Sequence, residues 1–193
     1  VPFSEALKRA VEFHQAGDLT EAERWLQASL AAKPADFDAL HLLGVISAQR
    51  GSFDEAERRF SQALAVDPHS AKAHVNRASV LRGLRRADEA LASCDRALAI
   101  DVALVSAHAT RAAILKDLGR LDEAVASCER ALAVDPQSAP TLSIRGAIAH
   151  DMERYEDALA DYASALAVQP NFPEALSNRG GVLNALKRYE EAL

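Results

Sequence analysis

The feature that most constrains this chain is a regular beat. Proline stands at Pro34, Pro68, Pro136 and Pro170, so the first pair and the last pair are each 34 residues apart. The missing stroke falls at Val102, and the stretch before it, Ala97-Leu98-Ala99-Ile100-Asp101, keeps the phase. A fixed period of this length belongs to an array of stacked units and excludes a globule built round one core. Other columns obey it. Ala22, Ala56, Ala90, Ala124, Ala158 and Ala192 form one, preceded by Glu21, Glu55, Glu89, Glu123, Asp157 and Glu191. A small-residue column reads Ala10, Gly44, Ala78, Ala112, Gly146 and Gly180, and a leucine column reads Leu30, Leu64, Leu98, Leu132 and Leu166. The columns place repeats at 3–36, 37–70, 71–104, 105–138 and 139–172, with a partial one at 173–193, all within a single array over 1–193.

Each unit holds two helical stretches. Apolar residues in 71–84 and 88–100 fall mostly three or four apart, which is a helical spacing and not that of a strand. Acids open the second stretch (Asp54 and Glu55, Asp88 and Glu89, Asp122 and Glu123), where they suit the positive end of the helix dipole. Asp-Pro closes it at 67–68 and 135–136, because proline disfavours helix at the residue before it. Pro140 and Pro173 sit at the start of a first helix, where a missing N–H costs nothing. The small column predicts a close crossing of two antiparallel helices. No unit can bury both faces of its helices alone, so neighbours must stack.

These residues resemble the tetratricopeptide repeat. The second repeat carries Leu40, Leu43, Gly44, Ala56, Phe60 and Pro68 at the family's positions and departs at Ser47, where an aromatic is usual. The fifth carries Leu142, Gly146, Ala158, Tyr162 and Pro170 and departs at Arg145 and Ala149. The resemblance covers nearly the whole chain. It implies an all-α fold, a right-handed superhelical solenoid of helix-turn-helix repeats with this 34-residue period.

Composition limits what such an array can do. The net charge is −6, with no basic run, which argues against general nucleic-acid binding. No stretch approaches a membrane span and no signal-peptide pattern opens the chain, so a cytoplasmic location is expected. G-x-S-x-G, a Gly-rich phosphate loop, H-E-x-x-H and C-x-x-C are all missing, so the array is expected to be non-catalytic and to need no cofactor or metal. Cys94 and Cys128 share a column one repeat apart and are read as reduced, buried side chains, since stacked helices lie ~8–10 Å apart and a disulfide needs Cα atoms within ~7 Å. His74 and His108 also share a column and are read as rings packed between units, with no third ligand for a metal. Arg77, Arg111, Arg145 and Arg179 are read as a structural ladder pairing with acids such as Asp101 or Asp135 at the repeat junctions.

The resemblance implies more about partners. In such arrays the first helix of each unit lines a concave face, and on that face the contact candidates are His41, Lys72, Asn76, Arg82, Thr110, Lys116, Ser143, His150 and Asn178. Their small neighbours, among them Ser79, Ala109 and Ala113, leave room for an extended peptide or an amphipathic helix of a partner protein. The carboxylate clamp of chaperone-tail binders is absent, because Val75, Ser79, Ser106, Thr110 and Pro140 occupy its places. Asn76 and Asn178 match the asparagine ladder of O-linked N-acetylglucosamine transferase arrays, and Leu42, Thr110 and Ile144 break it. The stretches His14–Glu23 and Phe37–Gly44 also resemble the start of bacterial proteins of that type, so a non-catalytic, substrate-targeting arm of a larger glycosyltransferase-like protein is the alternative. The sequence begins at Val1 and stops at Leu193, inside the second helix of the sixth unit. The expectation is that further chain, or a second molecule associating through the open C-terminal repeat, covers that edge.

Overall fold

In the computed structural model, residues 3–188 are described, and they form eleven helices. The first helices of the pairs are α1 (Phe3–Gln15), α3 (Phe37–Gln49), α5 (Ala71–Gly83), α7 (Val105–Asp117), α9 (Ala139–Asp151) and α11 (Pro173–Ala185). The second helices are α2 (Leu19–Ala32), α4 (Phe53–Val66), α6 (Ala87–Ile100), α8 (Leu121–Val134) and α10 (Tyr155–Val168). Starts recur every 34 residues in both series, and no strand occurs among the described residues. This is an α-solenoid of helix-turn-helix repeats. The expected second helix of the sixth repeat, with Glu191 and Ala192, lies outside the described residues, as does the edge proposed for self-association.

The helices gather into two compact units, Val1–Ile100 and Asp101–Leu193, and each is described by itself. In the first unit every helix packs on the next, and α3 also touches α5. In the second, α7 touches α9 and α9 touches α11. Among the described residues the second helices make no comparable contact with one another, so each unit is drawn tighter on its first-helix side.

Three local devices set the helix ends. Asp18, Asp36 and Ser70 accept a hydrogen bond from the backbone N–H three residues on, capping α2, α3 and α5. After three second helices a carboxylate makes the turn: Asp67 accepts from His69 N, Asp101 from Ala103 N and Asp135 from Gln137 N, at 3.0–3.1 Å. The turn after α6 therefore keeps its shape at Val102 without a proline. Shortly after each first helix the chain passes through one left-handed residue: Gly17, Gly51, Arg85, Gly119, Glu153 and Lys187, with φ between 59° and 81°. The next N–H then reaches back five residues to a helix carbonyl, as in Ser52 to Ser47, Arg86 to Leu81 and Arg154 to Ala149, at 2.8–2.9 Å.

The small column earns its place at the crossing of the two helices. A Cβ added at Gly44 would stand 2.7 Å from the Phe60 ring, and one at Gly146 would stand 2.9 Å from the Tyr162 ring. Both rings are about 1% exposed and have nowhere to move. Where the crossing residue is Cys94 or Cys128, the small column holds Ala78 or Ala112 instead, and all four are fully buried. The alanine column beside it, Ala22, Ala56, Ala90, Ala124 and Ala158, is wholly buried too. Burial pushes the Cys128 thiol up to about 12, so it stays protonated and unreactive. Neither cysteine is in a disulfide.

Two stability effects follow. An L side chain in the left-handed region costs about 1–2 kcal/mol, partly offset by the larger entropy that glycine loses on folding. Glu153 is exposed, so Glu153→Gly should stabilise the chain by about 0.5–1 kcal/mol in urea denaturation, and a loss of stability would contradict the turn geometry. At the crossing, Gly44→Ala should cost about 1–2 kcal/mol despite the better helix propensity of alanine. In a Phe60→Cys background, which copies the Ala78–Cys94 pair, the same alanine should cost nothing. A double-mutant cycle with no coupling would refute the steric account.

Candidate functional site

On the first-helix side of the first unit lies a groove of about 530 Å³. Leu42, Val45 and Ala48 of α3, Val80 of α5, and Phe53 and Phe60 of α4 give it apolar walls. His14, His41, Gln49, Lys72, Asn76 and Ser79 give it a polar rim. Phe53, 38% exposed, lies over Gly83, whose added Cβ would sit 3.1 Å from the ring. Phe60 forms the floor, held by Gly44 beneath it.

His41 is the hub of the rim. It stacks on Phe37 (ring centroids 5.6 Å apart, 13° between planes) and tilts against Phe60 at 5.5 Å. The Asn76 amide Nδ2 donates to His41 Nε2 at 3.0 Å, which puts the ring proton on Nδ1 and ties α5 to α3. Burial, with Lys72 nearby, lowers the His41 pKa and keeps the ring neutral; Asp38 works weakly the other way. At the far end His14 Nε2 lies 3.3 Å from Gln49 Oε1.

The candidate residues divide between the two units. His41, Lys72 and Asn76 meet in this groove, and Arg82 is exposed further along α5. In the second unit Lys116 Nζ is 3.1 Å from Asp151, and His150 Nδ1 is 3.4 Å from the same carboxylate, with its ring 5.7 Å from Tyr155. Both therefore face a carboxylate within their own unit. Thr110 is half-buried and Asn178 exposed. Ser143, on α9, is 5% exposed. Sequence reasoning missed the apolar walls, because Phe53, Phe60 and Val80 belong to columns that read as core. One signal was available. Gly83 replaces the polar Gln49, Asp117 and Asp151 of its column, next to the one phenylalanine in the column of Leu19, Ala87, Leu121 and Tyr155.

The arginine ladder has other partners than those expected. Arg77 reaches back to Glu57 (2.8 Å) and Ser61 (3.0 Å) on α4 and across to Ser93 (3.2 Å) on α6. Arg145 grips both oxygens of Asp161 on α10, and Arg111 bonds Ser127 on α8 at 3.0 Å. The Asp101 and Asp135 carboxylates are occupied in their own turns. A second arginine series, Arg86, Arg120 and Arg154, pairs with the acid three residues on, and those bonds hold the Glu89 and Glu123 carboxyls below the ordinary range.

His74 and His108 each point Nε2 at the carbonyl six residues back, Pro68 at 3.1 Å and Val102 at 2.9 Å. Facing a carbonyl, Nε2 must carry the proton, and each Nδ1 is buried without a partner. The rings pin the inter-repeat turn and do not present a ligand pair. No cluster of three or more metal-ligating side chains occurs among the described residues.

The repeat pattern has counterparts among known proteins. Family models of the tetratricopeptide repeat match residues 7–57, 41–101, 105–138 and 145–193. No curated protein matches the chain. Among solved structures, PilW, a widely conserved type IV pilus biogenesis factor, is 22% identical with a TM-score of 0.87, covering 98% of this chain and 88% of its own. A thermophilic TPR protein of Thermus thermophilus is 22% identical with a TM-score of 0.81, covering 94% of this chain and 99% of its own. YrrB, a TPR protein with an unusual peptide-binding site, is 22% identical with a TM-score of 0.67, covering 90% of each chain. Likeness at this identity shows a shared fold. No described helix is long and apolar enough to cross a membrane.

The histidine geometry makes a pH prediction. Burial is the largest cause lowering the His74 pKa below 6.5. A depressed histidine keeps its contribution to stability above its unfolded value and loses it as pH falls through the folded one, because the unfolded chain takes up the proton first. Leucine stands at this column in Leu40, Leu142 and Leu176. His74→Leu should match the parent within about 1 kcal/mol near pH 7.5, since one neutral hydrogen bond is exchanged for apolar contact. Its melting temperature should then fall less than the parent's on acidification to about pH 5.5, and equal falls would rule out His74 as a titrating group.

Proposed function

This chain belongs to the tetratricopeptide-repeat family, and we propose that it is a protein-interaction scaffold that holds a peptide or helix of a partner on its first-helix face. Proteins of this family mediate protein–protein interaction in general. The observation that carries the reading is the first-unit groove: about 530 Å³, apolar walls, a polar rim, and its main side chains fixed by packing before anything binds. Pre-ordered walls lower the entropy lost on association. In this reading residues 1–193 are one array with the repeat boundaries given above, His41, Lys72 and Asn76 are the leading contacts, and Arg82, Thr110, Lys116, Ser143, His150 and Asn178 are further candidates. The work is equilibrium binding, with no bond made or broken. Neither the family matches nor the relatives named above support the transferase-arm alternative. Asn76, one of its two ladder residues, is engaged by His41.

Ser79 lines the groove, is exposed, and donates back to the Val75 carbonyl on its own helix at 3.2 Å. Ser79→Trp should fill the groove with the helicity and melting temperature kept, and should lower capture of the native partner from a source-organism extract by about tenfold or more, a loss of the size reserved for a blocked central contact. Undiminished capture would move the binding surface off this face.

A further inference from the structure

We propose, resting on the scaffold reading above, that the segment seated in this groove is acidic and carries one large apolar side chain. Aspartate and glutamate number 28 in 193 residues, and the chain carries a net charge of −6, yet not one carboxylate lines the groove. Its one fixed charge is Lys72, exposed and without an ion pair among the described residues. Lys72 stands in the first turn of α5, where the helix dipole adds to its positive field. Asp38, the acid that acts on His41, lies outside the lining.

The polar groups are also laid out in order. Lys72, Asn76 and Ser79 follow one another at helical spacing along α5. Asn76 spends one N–H on His41 and keeps its carbonyl oxygen and second N–H, and the Ser79 hydroxyl keeps its acceptor capacity after bonding Val75. Such a row meets a carboxylate at the Lys72 end and backbone amides beyond it. Opposite the row, Leu42, Val45, Phe53 and Phe60 form a socket whose size suits a single leucine, phenylalanine or tryptophan with the backbone that bears it. A basic segment would meet Lys72 with no carboxylate in the lining itself, and like charges brought together at an interface are rejected.

The test uses the full chain and a phage-displayed library of random peptides as the probe. Selected peptides should pair Asp or Glu with one large apolar residue. Synthetic versions should bind Lys72→Glu about tenfold more weakly, and exchanging their acid for lysine should restore binding to that variant. Ser79→Trp, which blocks by bulk without adding charge, should block them all. Enrichment of basic or uncharged peptides that Ser79→Trp blocks, or indifference to Lys72→Glu, would overturn the charge assignment and leave the groove reading standing. No enrichment, or binding untouched by Ser79→Trp, would overturn both.

Discussion

Everything else in these repeats depends on a contact between residues sixteen apart, where the first helix of a pair is crossed by the second. Gly44 meets Phe60 and Gly146 meets Tyr162 there. Arg77, Arg111 and Arg145 bond Ser93, Ser127 and Asp161 at the same separation, one residue earlier in each repeat. Close packing at the first pair fixes how near the helices lie, and the hydrogen bond at the second fixes their register. Because steric repulsion rises steeply, the volume of the two crossing residues is shared: a ring requires glycine opposite, and a cysteine admits alanine. Burial of the Tyr162 hydroxyl, which pushes its pKa up to about 12, is a by-product of the same crowding.

The groove is a consequence of that crossing. Phe60 is anchored by Gly44, and its far side becomes the floor on which His41 leans. Phe53 covers Gly83 from the neighbouring end of α4. Repeat two is where aromatic residues stand at both of these places on the second helix while the first helices opposite put no carboxylate in the lining. Repeat five has Tyr155 and Tyr162 at the same places, but there His150 leans on Tyr155 and shares Asp151 with Lys116. One pattern thus gives an open apolar socket in one unit and an ionic cluster in the other.

Much of this was legible in the sequence. Helix boundaries could be read because proline, glycine and acids mark them at one fixed interval, and the buried alanine column because nothing larger ever stands there. The groove was harder. Periodicity averages over repeats, so it assigns equal standing to His41, Thr110 and Ser143, although only the particular neighbours of each decide whether it faces solvent. The arginine partners were misjudged for a related reason. Asp101 and Asp135 are near the junctions in sequence, but each carboxylate turns to accept from the backbone N–H two residues on. The left-handed residues at Arg85, Glu153 and Lys187 break the glycine rule at their column, and only the backbone trace discloses that the conformation persists without the glycine.

The shared volume at each crossing bears on how such a chain can be rearranged. Both partners of a crossing belong to the same 34-residue block, so duplicating, deleting or transplanting whole blocks leaves every pair matched. A recombination breakpoint between Gly44 and Phe60 would instead set a ring from one block against an alanine from another. Splice points placed in the loops after the second helices should therefore yield foldable chimaeras, and those placed within a helix pair should not.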